Sequence, residues 1–197
     1  MDALKLICSR RSTRAYLQTP VEKEKIDAIL QAGRYAPSGG NNQTTHFLVV
    51  NAPKVLADLV QIAQRAFSAM EEQENMYASL RAAVRRAKEG KYIFHYGAPT
   101  LIITANKKDY GNAMADCACA LENMMLMANA LDLGSCWINQ LKWLNEDENL
   151  ITYLQPLGLA PDEIICGAMS LGYAATKERL PPRKPLERKG NPVTWIE

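Results

Sequence analysis

The sequence predicts an α+β fold, and three observations carry that expectation. The chain has 197 residues, 48% of them apolar, enough to bury a sizeable core in one domain. About four strand-like runs and five or six helical periodicities occur without regular βα alternation, which argues against a doubly wound parallel sheet. No internal repeat and no linker divides residues 1–197, so a single domain is expected.

Asp2 suits the N-cap of a short first helix in which Leu4, Ile7 and Cys8 share one face, leaving RRSTRAY (10–16) as the helix exit. Thr19, Pro20 and Glu22 read as N-cap, N1 and N3 of a second helix, with Ile26, Ile29, Leu30 and Gly33 at helical spacing and a stop before Pro37. APSGGNNQ (36–43) is a loop by composition, and HFLVVN (46–51) a first strand. Leu56, Leu59, Val60, Ala63, Phe67 and Met70 outline an amphipathic helix. From Glu71 to Tyr96 a charged helical excursion follows, with Met76, Leu80, Val84 and Ala87 as its sparse apolar stripe; it is expected to act as a lid.

APTLIITAN (98–106) reads as a strand buried on both faces. The helix after it, about 112–131, is apolar nearly all round, as suits a position between packed layers or subunits. Gly134 is placed to end that helix, and SCWIN (135–139) forms a short strand. Asn145, followed by Glu146, Asp147 and Glu148, opens another helix with its acidic residues at the positive end of the dipole. IICGAMSLGYA (164–174) is the last strand. The tail, about 176–197, is basic, proline-rich and irregular, and Trp195 and Ile196 suggest that its end docks on something.

The 23 Lys and Arg nearly balance the 21 Asp and Glu, so the net charge of +2 gives no general attraction to nucleic acid or acidic membranes, and any anion site must be local. No basic stretch with a following apolar core opens the chain, and no apolar run approaches the roughly 20 residues that span a bilayer. The expectation is a soluble, cytoplasmic protein without membrane or nucleic-acid partners. Cys8, Cys117, Cys119, Cys136 and Cys166 lack disulfide-framework spacing and read as reduced, mostly buried thiols. With only His46 and His95 present, a histidine-rich metal site is excluded, and no metal is expected. Walker A, GxGxxG and HExxH signatures are absent.

In an extended RRSTRAY, Arg10, Ser12 and Arg14 share one side while Arg11 and Thr13 take the other. Guanidinium groups bind phosphate bidentately, and a serine hydroxyl completes such a cradle. Taken alone, an RRxxR stretch is more often a solvated basic surface, and SGGNN more often a turn. Together they gain weight: Asn and Gln suit the mixed donor and acceptor edge of a heterocycle, and Arg183 with Lys184 adds a third basic cluster. The set describes a nucleotide-like ligand.

The order SRRSTRAY, a capped helix, APSGGNNQ, LGSCWI (133–138), then GYA followed by PPRKPLE resembles the FMN-dependent nitroreductase family over essentially the whole chain. The resemblance implies a central mixed or antiparallel sheet flanked by helices, and an intertwined homodimer with FMN at the subunit interface. It implies that Arg10, Arg11, Ser12 and Arg14 hold the phosphate, ribityl chain and pyrimidine side of FMN, with Arg183 and its neighbour Lys184 as further phosphate ligands. Pro37, Ser38, Gly39, Asn41 and Gln43 match the loop contributed by the partner subunit, and Ser135, Cys136 and Trp137 the segment whose backbone lies near the flavin's redox edge. Many members follow that loop with Pro-Trp, where this chain has Thr44 and Thr45, so its packing is expected to differ. The implied activity is two-electron transfer from NADH or NADPH through flavin N5 to a nitroaromatic, quinone or similar acceptor, by a ping-pong mechanism, with Arg14 supporting the anionic flavin. The alternatives are a non-catalytic flavin-storage protein, or a specialised dehalogenating or flavin-fragmenting member of the superfamily.

Overall fold

The computed structural model describes residues 2–197. Its elements run α1 (Ala3–Ser9), α2 (Lys23–Arg34), β1 (His46–Val50), α3 (Pro53–Ala69), α4 (Ala78–Lys88), β2 (Thr100–Lys107), α5 (Ala113–Ala130), β3 (Gly134–Ile138), α6 (Glu148–Leu154) and β4 (Glu163–Gly172). The four strands form one sheet in the order β1-β2-β4-β3, with every neighbouring pair antiparallel. Between the mixed and antiparallel alternatives, the antiparallel one holds.

Alternation along β2 sorts the molecule into three layers. Leu101, Ile103 and Ala105 face a core built with Leu59, Ala63 and Phe67 of α3, Val84 of α4 and Leu150 of α6. Ile102 faces the opposite core, with Ile26 and Ile29 of α2 and Leu121, Met124 and Met125 of α5. Every residue of β2 but Lys107 is buried, the arrangement expected of a strand covered by helices on both faces.

Four local expectations are corrected. The second helix starts at Lys23 with Glu22 as N-cap, not at Thr19. Asn145 does not open a helix: its amide bridges the N–H and C=O of Ile165 at 2.9 Å each, and Asp147 caps α6 through the Leu150 N–H. Gly134 does not terminate α5, because Leu131 is its C-cap and Asp132, at φ 63°, takes the left-handed turn. Within the charged excursion only Ala78–Lys88 is helical, and after it Tyr92 and Phe94 are buried in the core.

Candidate functional site

RRSTRAY leaves α1 as an extended strip that lies along the sheet. Ser12 forms a parallel bridge with Ser135 at the start of the edge strand β3, and the Thr13 N–H donates to the Ser135 carbonyl at 2.9 Å. The Tyr16 hydroxyl, buried, donates to the Thr13 carbonyl at 2.7 Å and sits 2.8 Å from Ser170 Oγ on β4. Ser170 Oγ in turn donates to the Cys136 carbonyl at 3.4 Å. This network fixes the strip's register, and with it the alternation of its side chains.

Arg10, Ser12 and Arg14 all act on the Cys136 thiol. Burial pushes that thiol's pKa up, while the Arg14 charge, the Ser12 hydroxyl and the Arg10 charge pull it back. The guanidinium of Arg14 also lies 5.8 Å from the centre of the Tyr96 ring, a cation–π distance. On the other side of the strip Thr13 is buried and Arg11 folds back to donate to the Cys8 carbonyl. Arg183 joins the group from the tail, donating at 2.5 Å to the Asn129 carbonyl near the end of α5 and to the Asp132 carboxylate. Asn129 itself donates to the Leu6 carbonyl and to Ser9 Oγ, which ties α1 to the same spot.

Arg11 and Arg14 make no ion pair among the described residues, and Arg10 reaches Glu122 only at 3.7 Å. The Nε atoms of Arg11 and Arg183 are buried with no hydrogen-bond partner among those residues. Buried guanidinium N–H groups without an acceptor suit an anionic ligand far better than an apolar interior. Lys184, by contrast, is exposed and makes no hydrogen bond or ion pair among the described residues.

The loop APSGGNNQ is shaped by left-handed backbone at Gly40, Asn41 and Gln43, with φ of 58°, 55° and 51°. Such conformations persist in non-glycine residues only where surroundings enforce them. Here the Gln43 N–H donates to Ser38 Oγ at 3.0 Å, Gln43 Nε2 donates to Asn41 Oδ1, and the Gly39 N–H donates to the Asp116 carboxylate of α5 at 3.1 Å. A side chain at Gly39 would meet Asn112 Nδ2 at 2.1 Å and the Tyr110 hydroxyl at 2.6 Å and would have to displace both. Thr44 Oγ1 is buried and unpartnered, and the Cys117 thiol lies 3.8 Å from Thr45 Oγ1. Pro37, Asn41 and Gln43 remain exposed.

Along α5, the rise from Asp116, which holds this loop, to Asn129, which holds Arg183, is about 20 Å. No hydrogen bond or ion pair among the described residues joins the loop to the basic cluster. One chain therefore assembles Arg10, Arg11, Ser12, Arg14, Ser135, Cys136 and Arg183, and leaves Pro37 to Gln43 apart. Trp137 packs on the α5-side core and donates to Asn139 Oδ1 at 2.7 Å.

Asp116, Glu122 and Asn129 are site neighbours that sequence reasoning passed over. Two left a signal: Asp116 and Asn129 are polar residues in a mostly apolar helix, and both prove buried. Gly134, read from the sequence as a helix end, instead lets the strip approach, because a Cβ there would lie 2.7 Å from Thr13 Oγ1 and Cγ2. Gly134→Ala will therefore push the strip off β3. We expect a loss of about 1–3 kcal/mol in urea unfolding, as for other over-packed sites.

The nitroreductase family profile matches residues 7–173, and the chain belongs to that family. A 4-nitrobenzoate reductase of Pseudomonas putida is 30% identical, with 86% of this chain and 84% of that one covered. A nitrobenzene nitroreductase of Ectopseudomonas oleovorans is 26% identical over 86% and 85%. Among solved structures, a nitroreductase from Bacteroides fragilis with bound FMN is 35% identical, superposes with a TM-score of 0.87 and covers both chains in full. A nitroreductase from Desulfitobacterium hafniense shares the fold at 23% identity and a TM-score of 0.82. The α+β expectation and the family resemblance both hold. No helix among the described residues is long and apolar enough to cross a membrane, and no group of metal-ligating side chains is found among them.

Proposed function

We propose that the protein is a homodimeric FMN oxidoreductase that draws on NADH or NADPH and reduces nitroaromatic or quinone-like acceptors by a ping-pong mechanism. The observation that carries this reading is the basic cluster, in which Arg10, Ser12 and Arg14 face one side, toward Cys136, with buried, unpartnered Nε donors on Arg11 and Arg183. Full-length likeness to an FMN-bound structure at 35% identity supports the choice of ligand.

Arg10, Arg11, Ser12 and Arg183 would hold the phosphate and ribityl chain, and Arg14 would set a fixed positive charge beside the pyrimidine, where reduction places negative charge. FMN when bound supplies the two-electron carriage, accepting a hydride at N5 from a nicotinamide and passing reducing equivalents to the acceptor. The edge strand β3 offers backbone N–H groups around Cys136 and Trp137 for that redox edge. A second subunit would contribute Pro37, Ser38, Gly39, Asn41 and Gln43, which one chain holds away from its own cluster. A face of α5 supports the dimer: Ala115, Cys119 and Ala130 are exposed and Glu122 and Leu126 half-buried, all along one line of the helix.

The test is an absorption spectrum of the purified protein, reconstituted with FMN if colourless, before and after anaerobic addition of NADH or NADPH. Flavin bands that bleach with either donor are expected. Bands that persist would favour flavin storage or a specialised donor, and failure to bind FMN would overturn the reading.

A further inference from the structure

We infer that Tyr96 is a positioning residue for the flavin reaction: it holds the Arg14 guanidinium so that its positive charge is already in place where reduction puts negative charge. The inference rests on the FMN reading proposed above. A charge that stabilises a developing anion acts best when its side chain is ordered beforehand, because nothing then has to reorganise as the anion forms. Arg14 alone does not meet that condition. The residue is exposed and makes no ion pair among the described residues, and a free arginine side chain is spread over many rotamers. What fixes it is Tyr96, whose ring centre lies 5.8 Å from Arg14 Cζ, within cation–π range. The Tyr96 hydroxyl is also the largest of the influences that raise the Arg14 pKa, with Cys136 and Tyr16 adding to it and burial opposing it.

Both partners are themselves held. The backbone on either side of Arg14 is pinned, since the Thr13 N–H is bound to Ser135, the Ala175 N–H donates to the Ala15 carbonyl at 3.0 Å, and Tyr16 bridges Ala174. Tyr96 sits on a tight turn in which its own N–H donates to the Ile93 carbonyl at 3.1 Å and the Ala98 N–H to the His95 carbonyl at 3.2 Å. Gln18 Nε2 donates to the Gly97 carbonyl at 2.8 Å. Gln18 continues the strip, so the segment that carries Arg14 also clamps the turn that carries Tyr96. Phe94 and His95 before the turn and Ala98 after it are buried and anchor it from below.

The backbone shows that the turn itself does not call for an aromatic side chain. Tyr96 has a φ of 58° and Gly97 a φ of 70°. Glycine and asparagine take this left-handed conformation readily, and a bulky residue there is an outlier. Such strain persists where the surroundings enforce it and gathers at functional sites. Nor does the core demand the ring, because Tyr96 is only half-buried, at the margin of the α3-side core. Its contact with Arg14 is the interaction that a residue better suited to the backbone would lose.

The test replaces Tyr96 with residues that its backbone favours. Tyr96→Asn, with Tyr96→Gly as a second variant, removes the ring without straining the turn. An FMN titration of the parent comes first, and failure to bind there defeats the FMN reading and this inference together. With FMN bound, the midpoint potential is measured by anaerobic dye equilibration in the parent, in both Tyr96 variants, in Arg14→Ala and in the Arg14→Ala, Tyr96→Asn double variant. Tyr96→Asn is expected to weaken binding of reduced FMN about tenfold relative to oxidised FMN, read as a potential about 30 mV lower. In the Arg14→Ala background the same substitution is expected to lower the potential no further, because the two side chains act as one unit. A merely structural role would weaken both redox states alike and leave the potential where it was. An unchanged potential in both Tyr96 variants, or an equal fall with and without Arg14, would overturn the inference while leaving FMN binding standing.

Discussion

Alanine in place of Arg10 will weaken retention of FMN by roughly 10- to 100-fold, the usual cost of removing a hydrogen bond to a charged group, while barely changing stability. The asymmetry follows from what Arg10 touches within the chain. Its contact with Glu122 is 3.7 Å long, and the two side chains keep 24% and 47% of their exposure, a geometry worth at most about 1 kcal/mol. Thermal unfolding should shift by no more than about 2–4 °C. Ser12→Ala will act in the same direction, because the Ser12 side chain is exposed and supports no core contact. Arg183→Ala differs in kind, since that guanidinium also satisfies the Asn129 carbonyl near the C-terminus of α5 and pairs with Asp132. It will lose stability and cofactor together. Flavin fluorescence titration and a thermal melt on all three variants separate the effects, and equal flavin content in Arg10→Ala and parent would remove the phosphate-cradle assignment.

The layers of the fold were legible because burial imposes periodicity. β2 is buried at every position but its last, and its apolar residues do enter opposite cores in alternation. Where local signals failed, a distant partner had claimed the residue. Thr19 to Glu22 carries a good helix start, yet the Leu17 N–H is bound to the Tyr173 carbonyl and Gln18 to Gly97, which holds the approach extended. Glu22, which would reach back as an N3 residue, instead accepts from the Tyr173 hydroxyl at 2.8 Å. Asn145 is likewise taken by the backbone of β4, and Gly134 by its close approach to Thr13.

The candidate site divides along the same line. Alternation in RRSTRAY gave the shared side of Arg10, Ser12 and Arg14, since an extended strip needs only its own register to sort its side chains. What those side chains meet was not legible, because Tyr96, Glu122 and Asn129 come from elements far along the chain. The loop's partner, Asp116, was visible as one of two carboxylates in a mostly apolar helix but not as the group that receives the Gly39 N–H. Lys184 shows the limit of motif matching: it adjoins Arg183 in sequence and shares none of its contacts.

Phe67→Ala will be the most destabilising single change, at about 3–5 kcal/mol, and will loosen the charged excursion more than the sheet. Phe67 is 0% exposed and sits at the crossing of two edge-to-face contacts, with Tyr92 at 6.0 Å and Trp143 at 6.5 Å. Trp143 makes a third such contact with Tyr77. Tyr77 and Tyr92 bracket α4, so one phenyl ring anchors the element at both ends. Deleting it leaves a cavity under α4 while the β2–β4 ladder keeps its partners. Thermal unfolding should fall by about 6–20 °C. Hydrogen exchange resolves the distribution: protection across Ala78–Lys88 and Tyr92–Tyr96 should drop further than protection in β2, since local opening needs only the contacts that moor α4. A uniform loss over both regions would mean that the excursion opens only with the whole molecule, and that it cannot move as a separate lid.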